Sequence, residues 1–290
     1  PAAPGLQEPL EVGEYVLQAS VDGDPTDAAL LELESRATNG ATTLVAPKGV
    51  ALESADDVAN WSTERESVAV GDQVVVAVDA SGLGGVLNES TDLRRSGPAA
   101  PQTGAYVDVR RGNPPPNRPA RALNVSNASS LLDRDDDHLY VVIPSGGDTY
   151  AVRAGERVDA TFVLNESSPY VAGAATPDTV ERETVETAFA FESATGAFAD
   201  LSENDTLDLP ATAAARVSGE TNVAHGTNVT ITVTADDENV TFLESDTERV
   251  EDDGSFEGTV DLADYPEGTD YTVVATANGD EVTPVRSGSI

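Results

Sequence analysis

The sequence predicts an all-β protein, a β-sandwich surface domain followed by a small immunoglobulin-like β-sandwich, and three observations carry that prediction. Apolar residues fall in short runs that alternate with polar ones at period 2. Turn residues stand between the runs, and one stretch alone reads as helical. The 290 residues give chain enough for one large domain or two ordinary ones. High charge with few aromatics is also a mark of disorder, but disordered acidic tails do not organise their apolar residues into alternating runs.

Candidate strands are Tyr15–Val21, Ala29–Glu34, Gln73–Asp79, Ala105–Val109, His138–Ile143, Thr149–Arg153 and Arg157–Leu164. Val185–Phe191, Thr227–Ala235, Ser255–Asp261 and Asp270–Ala277 follow. In Val229-Thr230-Ile231-Thr232-Val233-Thr234 the valines and isoleucine face one way and the threonines the other, as in a half-buried strand. Turns are expected at Gly84-Gly85, Gly146-Gly147-Asp148, Asp253-Gly254, Glu267-Gly268 and Asn278-Gly279. Ser54–Trp61 reads as the helix: Ser54 suits the cap, and Asp56 and Asp57 suit the positive end of the helix dipole.

Two punctuation points divide the chain. Gly112–Pro119, with four prolines, reads as a stiff extended loop inside a domain, because strand-like sequence resumes on both sides. Leu209-Pro210-Ala211-Thr212 opens the second unit, whose further strands are Ala214–Ser218, Val240–Leu243 and Glu281–Val285. The expected division is therefore 1–36 as an arm with a donor strand or hairpin, 37–209 as the surface domain with a Pro/Arg-rich loop at 94–121, and 210–290 as the immunoglobulin-like domain.

Charge narrows the partners. Fifty-two acids against 16 bases leave a formal net charge of −36, which makes nucleic acid and anionic membrane surfaces poor partners. The absence of cysteine removes disulfides, zinc–thiolate sites and thiol chemistry, and no apolar run is long enough to span a bilayer as a helix. Lys48 is the only lysine beside 15 arginines, and the apolar residues lean on Ala and Val. Such a chain suits molar salt, where the Debye length falls to about 3 Å and self-repulsion is screened; an ordinary acidic secreted protein is the other reading.

Two stretches carry a resemblance. Asp56-Asp57-Val58-Ala59-Asn60-Trp61-Ser62 with Val68–Leu83, and Leu139–Ile143 with Val152–Ala160, resemble haloarchaeal cell-surface glycoproteins. These carry a BGTF-type surface domain beside immunoglobulin-like modules. The unit from Ala224-His225-Gly226-Thr227 through Asp253-Gly254-Ser255-Phe256 to Tyr271–Ala275 looks like the second module. The resemblance covers residues 40–285, and its motifs are structural rather than catalytic. It implies a leading secretion signal and a C-terminal membrane anchor; neither is in the sequence, so Pro1 is expected to follow a processed signal and the C-terminus to be trimmed.

Candidate sites fall into three groups. Sequons stand at Asn60, Asn88, Asn124, Asn127, Asn165, Asn204, Asn228 and Asn239 as acceptors for N-linked glycans, with Asn88, Asn127 and Asn165 in the most loop-like settings. Asp133, Asp135 and Asp137 have the opening spacing of a calcium loop, but His138 and Pro144 occupy its glycine and glutamate positions. What remains is a loose divalent-cation site or a solvated acidic turn. Arg94, Arg95, Arg110, Arg111, Arg118 and Arg121 lie in 28 residues whose one acid is Asp108, and Asp236, Asp237, Asp252 and Asp253 belong to a stretch with nine acids against Arg249. Either these arginines pair internally, or they form contacts between subunits through bidentate pairs with carboxylates.

No nucleophile elbow, phosphate loop or dinucleotide fingerprint occurs, and the two histidines, His138 and His225, have no serine motif beside them. The expected function is that of a non-enzymatic structural subunit of a halophilic cell-surface assembly: an S-layer-like lattice, a surface filament or an adhesion structure. Self-association, extracellular placement and no cofactor go with it. The alternative is an extracellular module that binds a glycan or another cell-envelope component; a secreted hydrolase ranks third.

Overall fold

The computed structural model describes residues 11–85, 87, 93, 103–114, 116–117, 119–123, 127–144, 153–165, 168, 182–236 and 240–290. It is almost all β. The chain opens with an antiparallel hairpin of β1 (Gly13–Val21) and β2 (Asp24–Leu33). Its two-residue turn holds Asp22 at φ 54° and Gly23 at φ 92°, the left-handed pair that matches the twist of a tight hairpin.

The first sandwich follows. It contains β3 (Thr38–Ala46), α1 (Ala55–Trp61), β4 (Thr63–Glu64), β5 (Ser67–Ala69), β6 (Gln73–Ala80) and β7 (Ala105–Arg111). It continues with β8 (Ser129–Asp133), β9 (His138–Ile143), β10 (Arg157–Leu164) and β11 (Glu183–Glu192). One sheet runs β4-β3-β6-β9-β8, and the facing sheet runs β5-β11-β10-β7 with β5 and β11 parallel. Between them pack Val74, Val76, Val78, Val107, Leu139, Phe162, Phe189 and Phe191.

The unbroken run Val74–Val78 has a physical reason. The five-stranded sheet is covered on both faces: Val75 and Val142 point away from the sandwich core into a second layer with Val58, Leu52 and Ala46 under α1. That helix starts as its sequence requires. The Ser54 hydroxyl accepts the Asp57 amide at 3.1 Å, and the Asp57 carboxylate accepts the Ser54 hydroxyl and the Glu53 amide in return. These bonds hold the Asp57 carboxyl below its ordinary range.

The second sandwich holds β12 (Gly196–Phe198), β13 (Ala215–Thr221), β14 (Asn228–Asp236), β15 (Thr241–Arg249), β16 (Ser255–Val260), β17 (Asp270–Ala277), β18 (Asp280–Glu281) and β19 (Arg286–Ser289). A sheet β12-β13-β16 faces a sheet β15-β14-β17, with β18 and β19 both paired to β17. Val229, Ile231 and Val233 are fully buried between them, as the alternation with threonine required. The core also takes in Phe198, Leu207 and Leu209, and β12 pairs with β13. Short segments before Pro210 thus take part in this sheet and this core.

Close approach dictates glycine at Gly219, in the middle of β13. A Cβ there would stand 2.5 Å from the Ala197 carbonyl oxygen and 2.5 Å from the Phe256 ring. Gly219→Ala is expected to cost roughly 1–3 kcal/mol through this overpacking, read as a lower denaturation midpoint in molar KCl. An unchanged midpoint would show that β12 yields freely.

Candidate functional site

The two sandwiches meet at a buried polar joint. Asp72, in the turn between β5 and β6, is 2 % exposed. Its Oδ2 accepts the backbone N–H of Ala224 at 2.7 Å, and its Oδ1 accepts Asn278 Nδ2 at 3.4 Å. Burial pushes the Asp72 carboxyl up to about 7, against the pull of those two hydrogen bonds and of the Arg65 charge. Arg65 itself donates to the carbonyls of Asn222 and Val223 at 3.2 and 3.4 Å.

Apolar contacts interlock around that centre. Ala69 of the first sandwich packs in the second core, and Ala224 of the second packs in the first. Trp61 closes α1 against Gly226, which takes φ +79° and where an added Cβ would stand 3.0 Å from the indole ring, leaving no room for a side chain. The Arg249 guanidinium sits 5.3 Å from the Trp61 ring centroid, and Lys48 Nζ reaches the Asn278 carbonyl at 3.5 Å. Sequence reasoning missed Asp72. Its one signal was a polar Gly71-Asp72-Gln73 step interrupting an otherwise apolar Val68–Val78.

The arginines of the 94–121 segment are drawn partly into internal pairs. Arg110 binds Asp108 Oδ2 through Nε and a terminal nitrogen at 2.9 and 2.7 Å, which raises the Arg110 pKa. Arg111 pairs with Glu156 at 2.6 Å. Arg121 lies exposed on the segment that returns along β7, where the Arg111 amide donates to its carbonyl at 3.0 Å. Arg94, Arg95, Arg118 and Asp237 lie outside the described residues, as does the Asp236 side chain. Asp252 is exposed, with Oδ1 3.1 Å from His225 Nδ1. Asp253 accepts the Ser255 amide at 2.9 Å, and its carboxyl is held low by that residue.

The acidic turn between β8 and β9 is built on its own carboxylate. Asp133 Oδ1 accepts the amides of Asp135 and Asp136 at 3.0 and 3.2 Å, and Asp137 takes φ 56° to close the turn. Among the described residues no group of three or more acidic or histidine side chains is placed to hold a metal ion, Asp133, Asp135 and Asp137 included. His138 Nδ1 contacts the Asp136 carbonyl at 2.6 Å, and its ring stacks on Tyr140. Among the described residues neither histidine hydrogen-bonds a hydroxyl, and no helix is long and apolar enough to cross a membrane.

Of the sequons, Asn60, Asn127, Asn204 and Asn228 are exposed, whereas Asn165 is half-buried, its Oδ1 turned toward Gly104. Asn88, Asn124 and Asn239 lie outside the described residues. Asn60 lies on α1 and Asn228 at the head of β14.

No family model matches the chain. It is 30% identical over 283 residues, 93% of its length, to a cell surface glycoprotein of Haloferax gibbonsii. Over 91% of its length it is 25% identical to cell surface glycoprotein 1 of Haloarcula hispanica. The chain spans about a third of each of these relatives, 32% in both cases. Among solved structures, the tetra-tandem repeat in the extending region of a large adhesion protein aligns over 97% of this chain and 57% of that one, at 20% identity and a TM-score of 0.31.

Proposed function

We propose, on the premise that this chain is a homologue of the cell surface glycoproteins of haloarchaea, that it is a non-catalytic structural segment of a surface assembly, S-layer-like, filamentous or adhesive. Its place is the cell surface. The observation that supports this reading best is the joint. A bonded carboxylate, two carbonyls held by Arg65 and exchanged alanines seat one closed sandwich on the next. A chain that keeps two modules in fixed series suits the transmission of shape or tension, and the acidic exterior keeps it hydrated in brine. The exposed Asn60, Asn127, Asn204 and Asn228 are its readiest glycan acceptors.

Electron microscopy of the purified chain in molar KCl tests the reading. A regular polymer that forms with rising protein concentration and disperses at low salt is the expected outcome. Monomers at every concentration would refute self-assembly.

A further inference from the structure

We propose that the β1–β2 hairpin of one copy docks by its tip into a groove lined by arginines and prolines on the first sandwich of the next copy. This rests on the structural reading above and names its contact.

The hairpin is an unfinished element. Among the described residues β1 and β2 pair only with each other. Val16 and Leu30 face each other across the ribbon at 73% and 65% exposure, and on the opposite face Leu17, 53% exposed, stands across from Ala29. A two-stranded ribbon is marginal alone in water and gains stability by burying such pairs. Each face carries an apolar pair among polar ones, so a surface that receives the ribbon in a groove covers more of them than a flat one.

Charge selects the receiving surface. Residues 11–35 contain seven acids and no basic residue, and Asp22 and Asp24 flank Gly23 at the outermost turn. The receiving groove, about 440 Å³, is lined by Arg111, Arg121, Arg157, Pro114, Pro119 and Glu156 among others. Arg111 is taken by Glu156, but the Arg157 side chain is 56% exposed with Nε 3.5 Å from Asp159. Arg121 is exposed and makes no ion pair among the described residues. In molar salt only contact pairs survive screening, so the hairpin's carboxylates must meet the guanidinium planes directly. The prolines offer rigid apolar walls to the ribbon's flanks. Donor and receiver are different surfaces, so the association is head-to-tail and open-ended, as a polymer requires.

Sedimentation of the full chain in molar KCl decides it, with Trp61 fluorescence reporting that each variant is folded. Arg121→Glu and the pair Asp22→Arg with Asp24→Arg are each expected to raise the concentration at which association sets in by about tenfold or more. Combining the two sets restores it. If the parent associates while neither set moves the threshold, the docking is overturned and the structural reading stands. If Val16→Ser with Leu30→Ser abolishes association but the charge variants do not, the hairpin seats on some other surface and the groove assignment fails. If the parent never associates, the docking and the structural reading fall together.

Discussion

Replacing Asp72 by asparagine is expected to stabilise the two-sandwich unit at neutral and higher pH, by a margin that shrinks as the pH falls and vanishes near pH 4. In the folded chain the carboxyl titrates at about 7, against an ordinary 3.8 in the unfolded chain. Below 3.8 both states hold the proton and the group imposes nothing. Between 3.8 and 7 the folded state keeps a proton that the unfolded state has released, so stability declines as pH rises through that window. Above 7 the buried charge costs its full amount, on the order of 4 kcal/mol by this shift.

Asparagine removes the charge and keeps the geometry. Its oxygen still accepts the Ala224 amide, and a turn of the Asn278 amide presents an oxygen to the new nitrogen. Asp72→Ala also removes the charge but leaves the fully buried Ala224 N–H without its acceptor, at a cost of roughly 1–3 kcal/mol, so it is less stable than Asp72→Asn at every pH and less stable than the parent near pH 4, where the parent carboxyl is protonated in both states. Denaturant midpoints of parent and Asp72→Asn at pH 5 and pH 8 in molar KCl check this. The other acids titrate alike in both chains, so the difference isolates Asp72. An equal gap at both pH values would mean that the carboxyl is not desolvated at the joint.

The fold was legible wherever one face of a strand is wet. His138–Ile143, Arg157–Leu164 and Asp270–Ala277 were bounded from sequence as they stand, because alternation or a bracketing turn marks each end. Ser54 and the first-turn acids placed α1 for the same local reason. β3 was not read, since Thr38-Asn39-Gly40-Ala41-Thr42-Thr43 carries little apolar signal, and its place is fixed by β6 far along the chain. β8 and β12 are short edge strands defined by their partners. Of the expected strand Thr149–Arg153, only Arg153 lies within the described residues.

The candidate site was less legible, for a physical reason. Its central contacts join residues more than 150 positions apart, Asp72 to Ala224 and Arg65 to Val223. A lone carboxylate among 52 acids does not announce its burial. The arginine cluster was visible as a charge imbalance, yet which guanidinium was already taken depended on Asp108 sharing a strand with Arg110 and on Glu156 arriving from beyond Gly155.

Phe162→Ala is expected to lower stability by about 3–5 kcal/mol, a large share of what a domain possesses. The ring is fully buried in mid β10, between Val107 of β7 and Val185 of β11, and alanine leaves a cavity that two sheets locked by cross-strand bonds cannot collapse to fill. Phe256→Ala, in the second core, is expected to cost a similar amount. The joint gives the pair of variants a further meaning. Ala69 and Ala224 each belong to the opposite core, and Trp61 lies against Gly226 across the boundary, so losing either sandwich exposes the other. Both variants should therefore shift one shared transition, seen alike by Trp61 fluorescence at the joint and by far-ultraviolet circular dichroism across both sandwiches. Two resolved transitions, each moved by only one of the variants, would mean that the joint holds position without coupling stability, and the chain would then act as two tethered modules rather than one stiff unit.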